Sequence, residues 1–213
     1  MSRMAVAART LVLCCAALLA AACTRVLDGT ALPAFGAEPN PSGVDVDQVL
    51  LDQSRMRAIT GADEHLTIIP SMDGKSPVDI DTLAKTAPPQ CRFVYADTAT
   101  FGSDVETFHK TTFQYPPRGG LISEGAAAYR DAETTSRAFG ALVTTVRNCA
   151  DSSAGLGLVG AWNSDERSLH TRPGDCGRDY LIKSVVLMEV TYCGFPESVS
   201  TIVITNIAAN VPG

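Results

Sequence analysis

The apolar positions of the chain fall into blocks of different period, and each period predicts an element. Asp45 and Asp47 precede Val49, Leu50, Met56 and Ile59, with Thr60-Gly61 behind them. Acids first, helical spacing next and a glycine stop predict a helix over about 45–60. Residues 65–90 hold no sustained period; they carry turn signals at Asp73-Gly74 and Pro88-Pro89, with room for a helical turn from Asp79 to Thr86. The stretch 92–101 fits neither template. Val105 to Tyr115, rich in Thr, Phe and Tyr and closed by Pro116-Pro117, predicts a strand, and 120–129 reads as a strand entering the next helix. That helix is the best marked of all: Asp131, then Thr135, Ala138, Phe139, Leu142, Val143 and Val146 at steps of three and four, ending at Asn148-Cys149. A Gly-rich link at 154–160 leads past Trp162 to a predicted strand from Glu166 to Arg172. Cys176 to Cys193 carries two β-branched runs around Lys183-Ser184, the pattern of a hairpin. Val199, Ile202, Val203, Ile207 and Val211 follow a helical period to the end.

The first 22 residues have a different character. Arg3 and Arg9 precede an apolar run from Leu11 to Ala22, which is too short to span a ~30 Å hydrocarbon core and has no polar face to pack as a surface helix. It reads as a signal peptide. The run ends in Leu19-Ala20-Ala21-Ala22-Cys23, which resembles a bacterial lipobox, so Cys23 is the candidate lipidated N-terminus. Ala20 stands where that pattern prefers Leu, and ordinary signal-peptide cleavage is the alternative; both routes export the protein. Between anchor and domain, residues 23–44 hold Pro33, Pro39, Pro41 and three glycines without a period, a predicted tether.

Charge and cysteine usage narrow the function classes. The 213 residues carry 17 Lys+Arg against 23 Asp+Glu, a net charge of −6, and removal of Arg3 and Arg9 with the leader makes the exported chain more acidic still. Nucleic-acid binding needs clustered Lys and Arg, so no nucleic-acid partner is expected. Export leaves Cys91, Cys149, Cys176 and Cys193 beyond the anchor, and four cysteines in an oxidising compartment allow three pairings. A hairpin turning near Ser184-Val185 sets Cys176 opposite Cys193, where facing residues are ~4.5–5.5 Å apart and a disulfide fits; Cys91 is then left for Cys149. With no C-x-x-C pair and spacings unlike a zinc knuckle, no metal or cofactor is expected.

Several motifs tempt. Gly155-Leu156-Gly157-Leu158-Val159-Gly160 is a literal G-x-G-x-x-G, but it follows a helix rather than a strand, the wrong context for a dinucleotide. Ser123 lacks the first glycine of a nucleophile elbow. The three histidines, 65, 109 and 170, make no metal-spaced pair, and the pairs Asp45/Asp47 and Asp79/Asp81 suit helix starts better than acid–base catalysis. No catalytic residue is named, and the chain is read as a non-enzyme. Alternation puts His170 and Arg172 on one face of a strand with the only tryptophan, Trp162, nearby; these three are the candidate ligand-binding residues, with a core Trp and a solvated strand face as the plainer alternative.

The long helix ending in Val146-Arg147-Asn148-Cys149, Trp162 after the Gly-rich link, the segments Cys176-Gly177-Arg178 and Val190-Thr191-Tyr192-Cys193-Gly194, and the amphipathic C-terminal segment together resemble the PknH-like extracellular sensor domain family. The resemblance covers roughly residues 45–213. It implies an α+β single domain with a twisted antiparallel sheet and packed helices, two disulfides in the pairing above, and a cleft for a ligand. These 213 residues hold no kinase segment. The resulting expectation is a lipid-anchored extracytoplasmic sensor that binds a small molecule or cell-wall component and meets the membrane through its N-terminal lipid; a secreted cell-envelope hydrolase without a recognisable motif is the alternative.

Overall fold

The computed structural model describes residues 42–213. Cys23, the leader and all but the end of the tether lie outside them. Seven strands form one sheet in the order β1-β2-β3-β7-β6-β5-β4, every neighbour antiparallel: β1 Thr67–Gly74, β2 Thr107–Tyr115, β3 Gly120–Ala128, β4 Ala161–Ser164, β5 Ser168–Arg172, β6 Cys176–Lys183 and β7 Val186–Cys193. Two meanders, β1-β2-β3 and β4-β5-β6-β7, therefore meet edge to edge at β3 and β7. The chain passes from one to the other through the helix α4, Ala132–Ala150, which is capped at Asp131 by a bond from the Thr134 N–H.

Both faces of the sheet are covered. On one face Val44, the segment Val46–Leu51, the helix α1 (Gln53–Thr60) and the C-terminal helix α6 (Glu197–Asn210) pack on Phe113, Ile122, Ala126, Met188 and Val190. On the other, α4 and the segment 89–101 pack on Phe108, Ala127, Tyr180 and Leu187; that segment comprises a 3₁₀ turn Pro89–Val94 and the short helix α3, Asp97–Phe101. The central strand β3 is buried on both faces at nearly every position. Alanines 126, 127 and 128 let helices approach both sides of it.

The predicted helix at 45–60 is two elements. Asp45 accepts from the Asp47 N–H and starts a 3₁₀ turn at Val46–Gln48; Asp52 accepts from the Arg55 N–H and starts α1 afresh. The chain stays open between them because the Leu51 N–H donates to Glu124 Oε1 of β3 at 2.9 Å instead of to a helical carbonyl. Two strands were also not apparent from the sequence. β1 lies at the sheet edge with Pro70 inside it and its register with β2 shifts between Ile68 and Asp73, while β4 spans only four residues. The helical turn near 79–86 is present as α2, Asp81–Thr86, and the Gly-rich link contains α5, Gly155–Leu158.

The hairpin has the expected register. Lys183 pairs with Val186 and Cys176 with Cys193, whose Cα atoms are 4.1 Å apart and whose sulfurs are bonded; Cys91 is bonded to Cys149. Its turn places Ser184 in the left-handed region, φ 53°. The glycines of the G-x-G-x-x-G string have packing roles: a Cβ on Gly155 would lie 2.3 Å from the Ala150 carbonyl oxygen, and one on Gly160, φ +64°, would lie 2.1 Å from that of Arg172. Gly157 is in open space.

Candidate functional site

Antiparallel registers bring Lys110 of β2, Gly125 of β3 and Glu189 of β7 into one row across the sheet. Because Gly125 has no side chain, the Lys110 stem lies over it, 3.5 Å from where a Cβ would be, and the ammonium reaches Glu189 Oε2 at 2.9 Å. The same ammonium donates to Asp97 Oδ1 at 2.7 Å, at the start of α3. In the next row Arg178 of β6 donates through Nη2 to the Val94 carbonyl at 2.7 Å and through Nε to Thr191 Oγ1 at 3.3 Å; Thr191 in turn donates to Glu189 Oε1 at 3.2 Å. Arg178 and Glu189 approach to 3.8 Å.

Glu189 is buried and Lys110, Asp97 and Arg178 are half-buried around it, so their partners decide their states. Burial works against the Glu189 charge, but Lys110 and Arg178 outweigh it and hold the carboxyl below its ordinary range. Burial likewise opposes the Lys110 charge, and Glu189 and Asp97 override it, raising the ammonium. Burial pushes Asp97 up against the pull of Lys110. Tyr180, fully buried beside them, is pushed well up by burial and by the Glu189 charge.

The four charged side chains form the floor of a cavity of about 230 Å³. Its walls are mostly apolar, with Phe93, Phe108, Val78 and Ile80 among them, and come largely from residues 71–80 and 93–96. Both disulfides flank it. Cys91–Cys149 ties the turn Pro89–Val94, which carries Phe93, to α4, and Cys176–Cys193 closes the hairpin two residues from Arg178 and from Thr191. At the mouth Met72, Val78 and Ile80, with Leu83 on the following turn, are 41–62% exposed, a run of large apolar side chains left in solvent.

Residues 41–210 match the PknH-like extracellular domain family. The chain belongs to that family. No curated protein matches it. Among solved structures, the extracellular domain of PknH from Mycobacterium tuberculosis is similar in fold, with a TM-score of 0.60 at 13% identity, covering 78% of this chain and 95% of that one. Membership makes this an extracellular, sensor-type domain. Among the described residues no helix is long and apolar enough to cross a membrane.

The residues singled out from sequence sit elsewhere in this PknH-like domain. His170 and Arg172 share the face of β5 that meets α6, where both reach Asp179: Nδ1 of His170 lies 2.7 Å and Nη2 of Arg172 2.6 Å from its Oδ1. Asp179 is buried and also accepts from Ser200 of α6, while Arg172 Nε donates to Glu197 at 2.8 Å and the guanidinium lies over the Tyr192 ring. Ser200 donates to the carboxylate rather than to the imidazole, so these residue types do not form the relay of a serine hydrolase. Trp162 pairs with Thr171, on the opposite pleat from His170 and Arg172, and packs against the α4-side core. The three still border one open pocket at the β4 edge, together with Asn163 and Thr201.

The other tempting residues have structural partners. The Ser123 hydroxyl bonds to Thr112 Oγ1 at 2.9 Å. His109 lies between Asp47 and Asp73, 2.9 Å from each, and so ties the N-terminal segment to β1 and β2. Asp63, Glu64 and His65 gather on an exposed turn where Asp63 accepts from the His65 N–H. Sequence reasoning missed Lys110, Asp97, Arg178 and Glu189. The available signal was a carboxylate inside the apolar run Val185–Val190, since a charge in a fully buried strand must have a partner.

Proposed function

We propose that this domain is the ligand-binding part of a lipid-anchored extracytoplasmic sensor, tethered through acylated Cys23, and that it holds a small, largely apolar molecule or cell-envelope component in the cavity above Lys110 and Glu189. The observation that carries this reading is the cavity itself: apolar walls over a few convergent polar groups, with a disulfide close by on two sides. The pocket beside Trp162, His170 and Arg172 is shallower in chemistry, because Asp179 and Glu197 already occupy the guanidinium.

The uncharged fluorophore N-phenyl-1-naphthylamine tests the cavity. Ser76 is exposed and borders it, so Ser76→Trp puts an indole into the opening without touching the core. Saturable one-to-one binding by the wild type and its loss in Ser76→Trp is the expected result; equal binding by both overturns the site. For the anchor, Cys23→Ser is expected to release the chain from the membrane fraction, and retention of the variant together with no fatty-acid label on the wild type overturns lipidation.

A further inference from the structure

The cavity floor carries more hydrogen-bond donors than its own acceptors use. Asp97 accepts from Lys110 and, through Oδ2, from the Val78 N–H at 3.2 Å; Glu189 accepts from Lys110 and Thr191. Every carboxylate oxygen therefore has a donor. The donors are in surplus: among the described residues Arg178 Nη1 has no acceptor, and only two of the three Lys110 protons are used. A molecule entering this floor is recognised by what it accepts.

Its charge is constrained as well. Two cations and two carboxylates balance, so an added anion would lie beside Asp97 and Glu189 and an added cation beside Lys110 and Arg178, each desolvated without a counter-ion. An uncharged acceptor meets neither cost. The volume sets the third condition: about 230 Å³ falls below the ~300–1,000 Å³ of sites that enclose a whole drug-sized ligand, while the apolar surface continues outward over Val78, Met72, Ile80 and Leu83. A ligand that uses all of this surface has a small polar head inside and an apolar chain running out over the rim.

Resting on the cavity reading above, we infer that the ligand is an uncharged acyl amphiphile, an ester or amide whose carbonyl accepts from Arg178 and whose chain covers the exposed apolar rim. Three probes with the same chain separate the possibilities when titrated below their micelle concentrations: monodecanoyl glycerol, decanoate and decylamine. The expected result is binding of monodecanoyl glycerol at least tenfold tighter than either charged probe, weakened at least tenfold by Val78→Asp at the rim. Ile202→Asp, at an exposed apolar position on α6 at the opposite face, leaves it unchanged. Decanoate or decylamine binding as tightly as the ester overturns the uncharged head, and an unaffected Val78→Asp overturns the chain path. If N-phenyl-1-naphthylamine binds and none of the three probes does, the acyl class falls while the cavity reading stands; if the fluorophore also fails, the cavity reading falls with it.

Discussion

Glu124 lies on the central strand, fully buried, on the sheet face opposite the cavity. Its Oε1 accepts from Leu51 N–H, whereas Oε2 has no hydrogen-bond partner among the described residues. Burial is the main cause that pushes its pKa from 4.5 up to about 8; the Leu51 bond opposes this and the charge of Asp52 adds to it. The folded protein thus keeps a proton that the unfolded chain gives up near pH 4.5. Wherever the folded state holds more protons, stability falls as pH rises, by up to ~1.4 kcal/mol per pH unit. The stabilising effect of the protonated carboxyl is full below pH 4.5 and is lost by the time pH passes about 8. Over the whole interval that is of order 5 kcal/mol, with about 4 kcal/mol of it between pH 5 and 9, set against a typical total of ~5–15 kcal/mol. Glu124→Gln keeps an amide oxygen for Leu51 and removes the titration; its NH₂, placed where Oε2 had no partner, adds a pH-independent cost of ~1–3 kcal/mol. Urea denaturation of both proteins at pH 5 to 9 gives the test, because every other titrating group is common to the two and cancels in the difference. The variant is expected to gain on the wild type by several kcal/mol across that range. A stability difference that stays constant from pH 5 to 9 refutes the reasoning, since it would mean that Glu124 is ionised in the folded protein.

Three other outcomes follow from the same packing. Lys110→Met leaves buried Glu189 and half-buried Asp97 without their shared cation, and a loss of ~3–5 kcal/mol by denaturant titration is expected, more than for truncation of an exposed lysine such as Lys85. Of the three glycines in the G-x-G-x-x-G string, Ala at 155 or 160 collides with backbone carbonyls and lowers the melting temperature sharply, whereas Gly157→Ala is neutral or mildly stabilising; equal effects at all three would contradict the packing. Replacing Cys176 and Cys193 together by Ala opens a 17-residue loop and is expected to cost ~3 kcal/mol, while the 58-residue loop of Cys91–Cys149 is worth ~4 kcal/mol in the chain-entropy account, both measured against the oxidised wild type.

What the sequence revealed depended on how local the determining contacts were. The α4 helix is specified within its own residues by an Asp131 cap and a three-four apolar repeat, and the Cys176–Cys193 hairpin by a two-residue turn, so both could be read along the chain, and the hairpin register carried one disulfide with it. The break at Leu51 could not, because it exists only where Glu124, 73 residues away, offers an acceptor. The edge strand β1 was hidden by Pro70, which an edge tolerates and a central strand does not, so recognising it required the strand order.

The charged floor was illegible for the same reason, although Glu189 was conspicuous inside an apolar run. Glu124 and Glu189 are buried on neighbouring strands, and buried charge without a partner is too costly to persist. Pairing Glu189 with Lys110 needs the strand order β2-β3-β7: once β3 lies between β2 and β7, registers put Lys110 and Glu189 on either side of Gly125, the one residue whose missing side chain lets a lysine cross a strand. Glu124, one residue earlier, points to the other face, meets no cation there among the described residues and keeps its proton instead. Two neighbouring positions on one strand thus resolve the same cost of burial in opposite ways, by pairing across Gly125 and by neutralisation at Glu124. Around these two positions the paired side keeps unused donors, on Lys110 and Arg178, facing the cavity, whereas the neutralised acid behind it is closed off by Leu51, which is why the proposed ligand is placed above Lys110.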